Sequence, residues 1–129
     1  MNILQLIIKQ KFFDEIIAGK KKQEFREIRP TTAKRYINYV CDGVEYNDPN
    51  TLPEEGETDI VPIHYDAIRF FVGYNKDRDS ALVEVKNATV EFFVDENGDD
   101  VVYEYNGEEY IVAQMVYDLG AVIELNVKQ

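Results

Sequence analysis

The chain has 129 residues, 45% of them hydrophobic, with nine Tyr, seven Phe, no Trp and a formal net charge of −11. That length is one domain, spanning residues 1–129, large enough to hide roughly two-thirds of its unfolded surface, and the aromatic and branched content belongs to a folded chain. The acidity excludes non-specific binding to duplex DNA, which needs a dominant basic surface. The single Cys41 excludes an internal disulfide and an all-cysteine zinc site, and it fits a reducing, cytoplasmic setting. No window approaches the ~20 apolar residues of a membrane span, and the apolar start, Ile3–Ile8, lacks the basic flank of a secretory signal.

Residues 2–8 read as a buried strand, short and almost wholly apolar. Phe12, Phe13, Ile16 and Ile17 follow at helical spacing, and Gly19 stands where a left-handed residue would stop the helix. Residues 23–29 alternate, with Glu24, Arg26 and Ile28 on one face. Pro30 ends that strand, and Thr31 or Thr32 can cap a second helix reaching about Tyr39. Residues 41–61 are acidic and rich in turn signals, and they are expected to form a long loop, with at most a short hairpin.

Beyond His64 the pattern turns to strands. Residues 65–74 and 81–94 flank a polar turn, residues 95–100 form a second turn, and Asn106-Gly107 is the strongest hairpin signal. Leu119-Gly120 is expected to break the chain before a last strand at 121–127. The tally predicts an α+β, mainly β domain of about six or seven strands, closed into a small barrel, with two helices near the N-terminus.

Charge marks the candidate site. Nine of the 14 basic residues lie between Lys9 and Arg35 against four acids, so this stretch carries +5 and the remainder −16. Glu24 and Arg26 project from one face of a strand. Arg26 can hold a phosphate or carbonyl bidentately, and Glu24 can accept from the amino group of a base or activate a water. Lys21 can serve as a phosphate-binding cation or as a general base. Lys9 and Arg35 can line the same hollow. The bland alternatives are that Glu24 and Arg26 only pair, and that Lys20, Lys21 and Lys22 merely complement the helix dipole. Tyr36, Tyr39, Tyr65 and Tyr74 can stack on a base, although aromatics of a small domain more often fill its core. His64 has no second histidine beside it, so no metal site and no cofactor are expected.

The segment from Phe12 to Arg26 resembles the signature of the ASCH domain: a helix closed by glycine, then G-x-K-x-x-E-x-R, met here by Gly19, Lys21, Glu24 and Arg26. The tail from Tyr117 to Glu124 is similar to that family's closing strand. The resemblance implies a PUA-like barrel and a basic cleft beside the first helix that receives RNA or a nucleotide-like ligand, with residues 41–61 an addition to the minimal domain. It also implies an alternative, because some small ASCH proteins look like amidohydrolases acting on N4-acetylated cytidine. Their motif keeps the lysine at Lys21 but has threonine where Glu24 stands. The expected partners are therefore RNA or a nucleoside or nucleotide, with neither duplex DNA nor a membrane. A non-catalytic protein-interaction scaffold is the third possibility.

Overall fold

A run of leucine and isoleucine interrupted only by Gln5 forms strand β1 (Ile3–Ile8), with Leu4, Leu6 and Ile8 buried. The computed structural model describes residues 1–128 and is mainly β, 53% strand and 12% helix, with two α-helices near the N-terminus. Helix α1 (Gln10–Ile17) buries Phe13 and Ile16, and β2 (Gln23–Ile28) buries Glu24 and Ile28 on the face the alternation assigned to them. Helix α2 (Ala33–Tyr36) leads into β3 (Ile37–Cys41) and β4 (Val44–Tyr46), and β5 (Thr58–Pro62) follows a 3-10 turn at Pro49–Thr51. Strands β6 (Ala67–Val72), β7 (Ser80–Phe92), β8 (Val102–Tyr105), β9 (Glu108–Ile111) and β10 (Ala113–Asn126) complete the chain.

The strands form a five-stranded sheet in the order β1-β6-β7-β10-β2, a three-stranded sheet in the order β4-β3-β5, and the β8-β9 hairpin. The described residues divide into two compact units, each built from separated stretches. Residues 1–24, 64–88 and 117–128 make the first, and residues 25–63 and 89–116 the second. Within the first unit, β1 pairs in parallel with β6, matching Ile3 to Ala67 and Ile8 to Val72, and β6 pairs antiparallel with β7, matching Phe71 to Ser80. Its core is Leu4, Leu6, Ile8 and Phe13 with Ile68, Phe70, Val83 and Tyr117, all buried. Each such Leu, Ile or Phe contributes about 1.5–3 kcal/mol by leaving water. The second unit gathers Ile28, Tyr36, Ile37, Cys41 and Met115.

Four expectations are corrected. The described residues form ten strands rather than six or seven, and the sheets are not closed into a barrel. The second helix stops at Tyr36, not about Tyr39, because Ile37 turns extended (φ −132°, ψ 152°) and the β-favouring run 37–41 finds a partner in β5. Residues 41–61 carry the short hairpin allowed for them, and β5 takes their last residues into a strand, so the loop proper is shorter than expected. Asp42 and Gly43 both take positive φ, the pattern of a tight hairpin turn, so β3 folds back on β4. The Asn47 amide then donates to the Lys34 and Ile37 carbonyls. Leu119 and Gly120 do not break the chain, since β10 runs straight through them. The hairpin at Asn106-Gly107 is as expected, with φ of +50° and +78° at the two positions.

The start of β1 is held by Asp66, whose Oδ2 accepts the Asn2 backbone N–H at 2.6 Å. That bond, with the His64 ring at 3.1 Å, holds the Asp66 carboxyl below its ordinary range. A lowered folded value contributes stability above the unfolded value of about pH 4 and loses it as pH falls through the folded value. Asp66→Asn is therefore expected to lower the melting temperature at neutral pH and to flatten its decline as pH falls below about 4. Thermal melts of both proteins across that range check this, and parallel curves would refute it.

Candidate functional site

The local geometry begins where α1 ends. The Lys20 N–H donates to the Glu15 carbonyl at 2.9 Å and the Gly19 N–H to the Ile16 carbonyl at 3.1 Å, the paired bonds of a Schellman end. Gly19 sits at φ +74°, where a side chain strains the backbone by about 1–2 kcal/mol. The Lys21 N–H also reaches the Glu15 carbonyl, at 3.0 Å. The glycine thus reverses the chain, and the last turn of the helix holds the backbone of Lys21 at the head of β2. The G-x-K spacing has a mechanical reason.

Glu24 is 6% exposed, one of two buried polar side chains among the described residues. Lys21 Nζ lies 3.4 Å from its Oε1 and 5.6 Å from the centre of the Phe12 ring, so the ammonium is held between a buried carboxylate and an aromatic face. Lys21 also lines a cleft of about 450 Å³ in the first unit. Lys22 and Lys86 bring two more ammonium groups to it, Glu84 one carboxylate, and Ile16 and Leu119 apolar wall. Gly120 forms part of its floor; a Cβ there would run into the Glu84 carboxylate and come within 3.1 Å of Lys86 Cγ. A volume of this order matches pockets for small organic ligands.

The expected residues separate into two groups. Lys21 and Glu24 come together, with Lys21 on the cleft and Glu24 behind it. Lys9 is exposed at the start of α1, where its carbonyl accepts the Phe12 and Phe13 N–H groups, and it does not line the cleft. Arg26 and Arg35 belong to the second unit. Arg26 is half-buried on β2, and Arg35 is exposed beside the Tyr36 ring at 5.7 Å. Lys34 is paired with Asp48 at 3.6 Å; the carboxyl of Asp48 is held low first by the Asn50 N–H and then by that lysine. Of the tyrosines, Tyr36 is core, at 4% exposed, and Tyr74 is 85% exposed. Among the described residues no group of three or more His, Cys, Asp or Glu could hold a metal ion, and no helix is long and apolar enough to cross a membrane.

Glu84, Lys86 and Gly120 escaped sequence reasoning. Glu84 and Lys86 are two apart on β7 and share a face, but only the pairing of strands brings them to Lys21. A second cavity, about 300 Å³, lies in the second unit among Tyr39, Phe92, Tyr103 and Tyr110. Burial first, then the Asp48 charge, raises the hydroxyl pKa of Tyr39. Its cation, Arg29, is bound to Glu27 at 2.7 Å and stacks over Tyr103 at 4.8 Å. Comparison of the chain with protein-family models, with curated proteins and with solved structures finds no match.

The buried pair generates two expected outcomes. Lys21→Met is expected to cost about 2–3 kcal/mol, because it takes the ammonium from a buried carboxylate. Adding Glu24→Leu removes that charge, so the double variant is expected to be no less stable than Lys21→Met. Chemical denaturation of the four proteins reads the coupling, and additivity within about 0.5 kcal/mol would refute it. Gly19→Ala is expected to cost about 1–2 kcal/mol from the backbone alone, since nothing lies within 4 Å of the added Cβ.

Proposed function

We propose that the first-unit cleft binds a nucleotide-like ligand, a nucleoside phosphate or the end of a single-stranded RNA, and that the chain is an ASCH-type module related to the PUA fold. The observation that carries this is the placement of Lys21, Lys22 and Lys86 around one cleft in a chain of net charge −11. Anion binding is favourable there and disfavoured over most of the remaining surface. The element order β1-α1-β2, with Gly19 ending the helix and Lys21 beside the buried Glu24, supports the ASCH-type assignment.

In this reading Glu24 orients Lys21 and does not touch the ligand. Lys21, Lys22 and Lys86 take the phosphate oxygens, and Glu84 accepts from an amino group of the base. Gly120, lacking a Cβ, leaves room for the Glu84 carboxylate to hold this position. Lys9, Arg26 and Arg35 are not needed for this contact.

Thermal denaturation with a panel of nucleosides, nucleoside monophosphates and short RNAs tests the proposal. A ligand at a hundred times its Kd is expected to stabilise the protein by about 2.7 kcal/mol. Raising the salt concentration is expected to weaken that effect, and Gly120→Val, whose side chain displaces the Glu84 carboxylate, to abolish it. Release of acetate from N4-acetylcytidine, lost in Lys21→Met, would instead establish the amidohydrolase alternative. No shift with any member of the panel would sink the binding proposal and leave a protein-interaction scaffold.

A further inference from the structure

The turn between β6 and β7 builds a second cation-lined pocket, of about 340 Å³, also within the first unit. Lys76, Arg78 and Lys128 line it, and among the described residues no acidic side chain does. Phe71 and Tyr74 supply its aromatic surface and Ser80 a hydroxyl.

This pocket is held in shape before any ligand arrives. The Val72 N–H donates to the Asp79 carbonyl at 3.0 Å and closes the turn. Gly73, at φ +67°, then throws Tyr74 outward, where it is 85% exposed. The Arg78 guanidinium lies 4.0 Å from the centre of the Phe71 ring and donates to the Gly73 carbonyl at 2.9 Å. An arginine fixed in this way loses little further freedom on taking an anion, and its planar fork keeps other N–H groups for the task. Asp77 and Asp79 alternate with the cations along the turn but stay out of the lining. Asp79 is engaged elsewhere, accepting from the Lys128 backbone N–H at 2.8 Å and from the Gln10 amide at 3.3 Å. That contact holds the backbone of Lys128 at the pocket rim.

We infer that this pocket is a second ligand site, separate from the Lys21 cleft, for a nucleoside phosphate, with the base on the Tyr74 ring and the phosphate among Lys76, Arg78 and Lys128. Stacking is indifferent to base identity, since every base has a π-face, and three cations without a lining carboxylate select the phosphate. The chemistry serves a free nucleotide or one residue of a single strand equally.

The chain has no Trp, so Tyr74→Trp places a single fluorescent reporter at an exposed position. AMP is expected to quench its emission, adenosine to bind at least tenfold more weakly, and Lys76→Ala with Lys128→Ala, in the reporter background, to weaken AMP at least tenfold. Lys21→Met in that background is expected to leave AMP quenching unchanged, so this site stands or falls independently of the cleft. A 5′-phosphorylated pentauridylate bound at least tenfold tighter than UMP identifies a strand as the source, and equal affinity a free nucleotide. Equal binding of adenosine and AMP, no effect of the lysine substitutions, or no quenching at 10 mM AMP overturns the inference. Amide shifts at residues 73–78 and 126–128 on adding AMP to the unsubstituted protein, whether or not the Lys21 cleft also responds, are the result expected without any mutation, and their absence overturns it equally.

Discussion

A carboxylate removed from water beside an ammonium 3.4 Å away is the constraint on which the first unit's chemistry depends. Desolvating Glu24 is costly, and the attraction of Lys21 offsets part of that cost only while the two stay in register. Register is supplied by the end of α1, where Gly19 takes a left-handed conformation and the Glu15 carbonyl gathers the N–H groups of Lys20 and Lys21. The same reversal that ends a helix therefore aims a cation. Phe12 completes the arrangement from the exposed side of the helix, while its neighbour Phe13 is spent in the core.

Around that pair, charge is sorted by strand pairing. The acids outnumber the bases 25 to 14, so a cavity whose charged lining is three cations to one acid does not arise from composition. It arises because β7 presents Lys86 beside Lys22 and Lys21, and because Gly120, lacking a Cβ, makes room for the Glu84 carboxylate. At the turn between β6 and β7 the sorting is finer still. Lysine and arginine alternate with aspartate along residues 76–79, the cations line the pocket, and Asp79 is drawn into holding the chain near Lys128.

Local patterns were legible wherever the chain's own chemistry dictates the backbone. The G-x-K spacing, the face shared by Glu24 and Ile28, and the Asn106-Gly107 turn each follow from φ preferences or from the two-residue period of a strand. Misreadings arose where a partner distant in sequence decides. Residues 37–39 continue a helical pattern in isolation, yet they extend because β5 offers them a strand to pair with. Residues 41–61 look like a loop by composition, yet Asp42, Gly43 and Asn47 tie them down. Gly120 looks like a break, yet a long paired strand carries it without one.

By itself the sequence determined where the positive charge is concentrated, which glycine turns the chain at the end of the first helix, and that a lysine and a glutamate three residues apart would follow it. Those features depend on neighbours along the chain, whose geometry is set by covalent structure and local hydrogen bonds. Only the tertiary structure decided that Glu24 is buried beside Lys21, and that Glu84, Lys86 and Gly120 line one cleft with that lysine. It alone decided that the turn carrying Tyr74 closes over cations from both sides of β7. Pairing register joins residues as far apart as 21 and 120 into one cleft, and register is a property of the packed sheet that no short window of sequence contains.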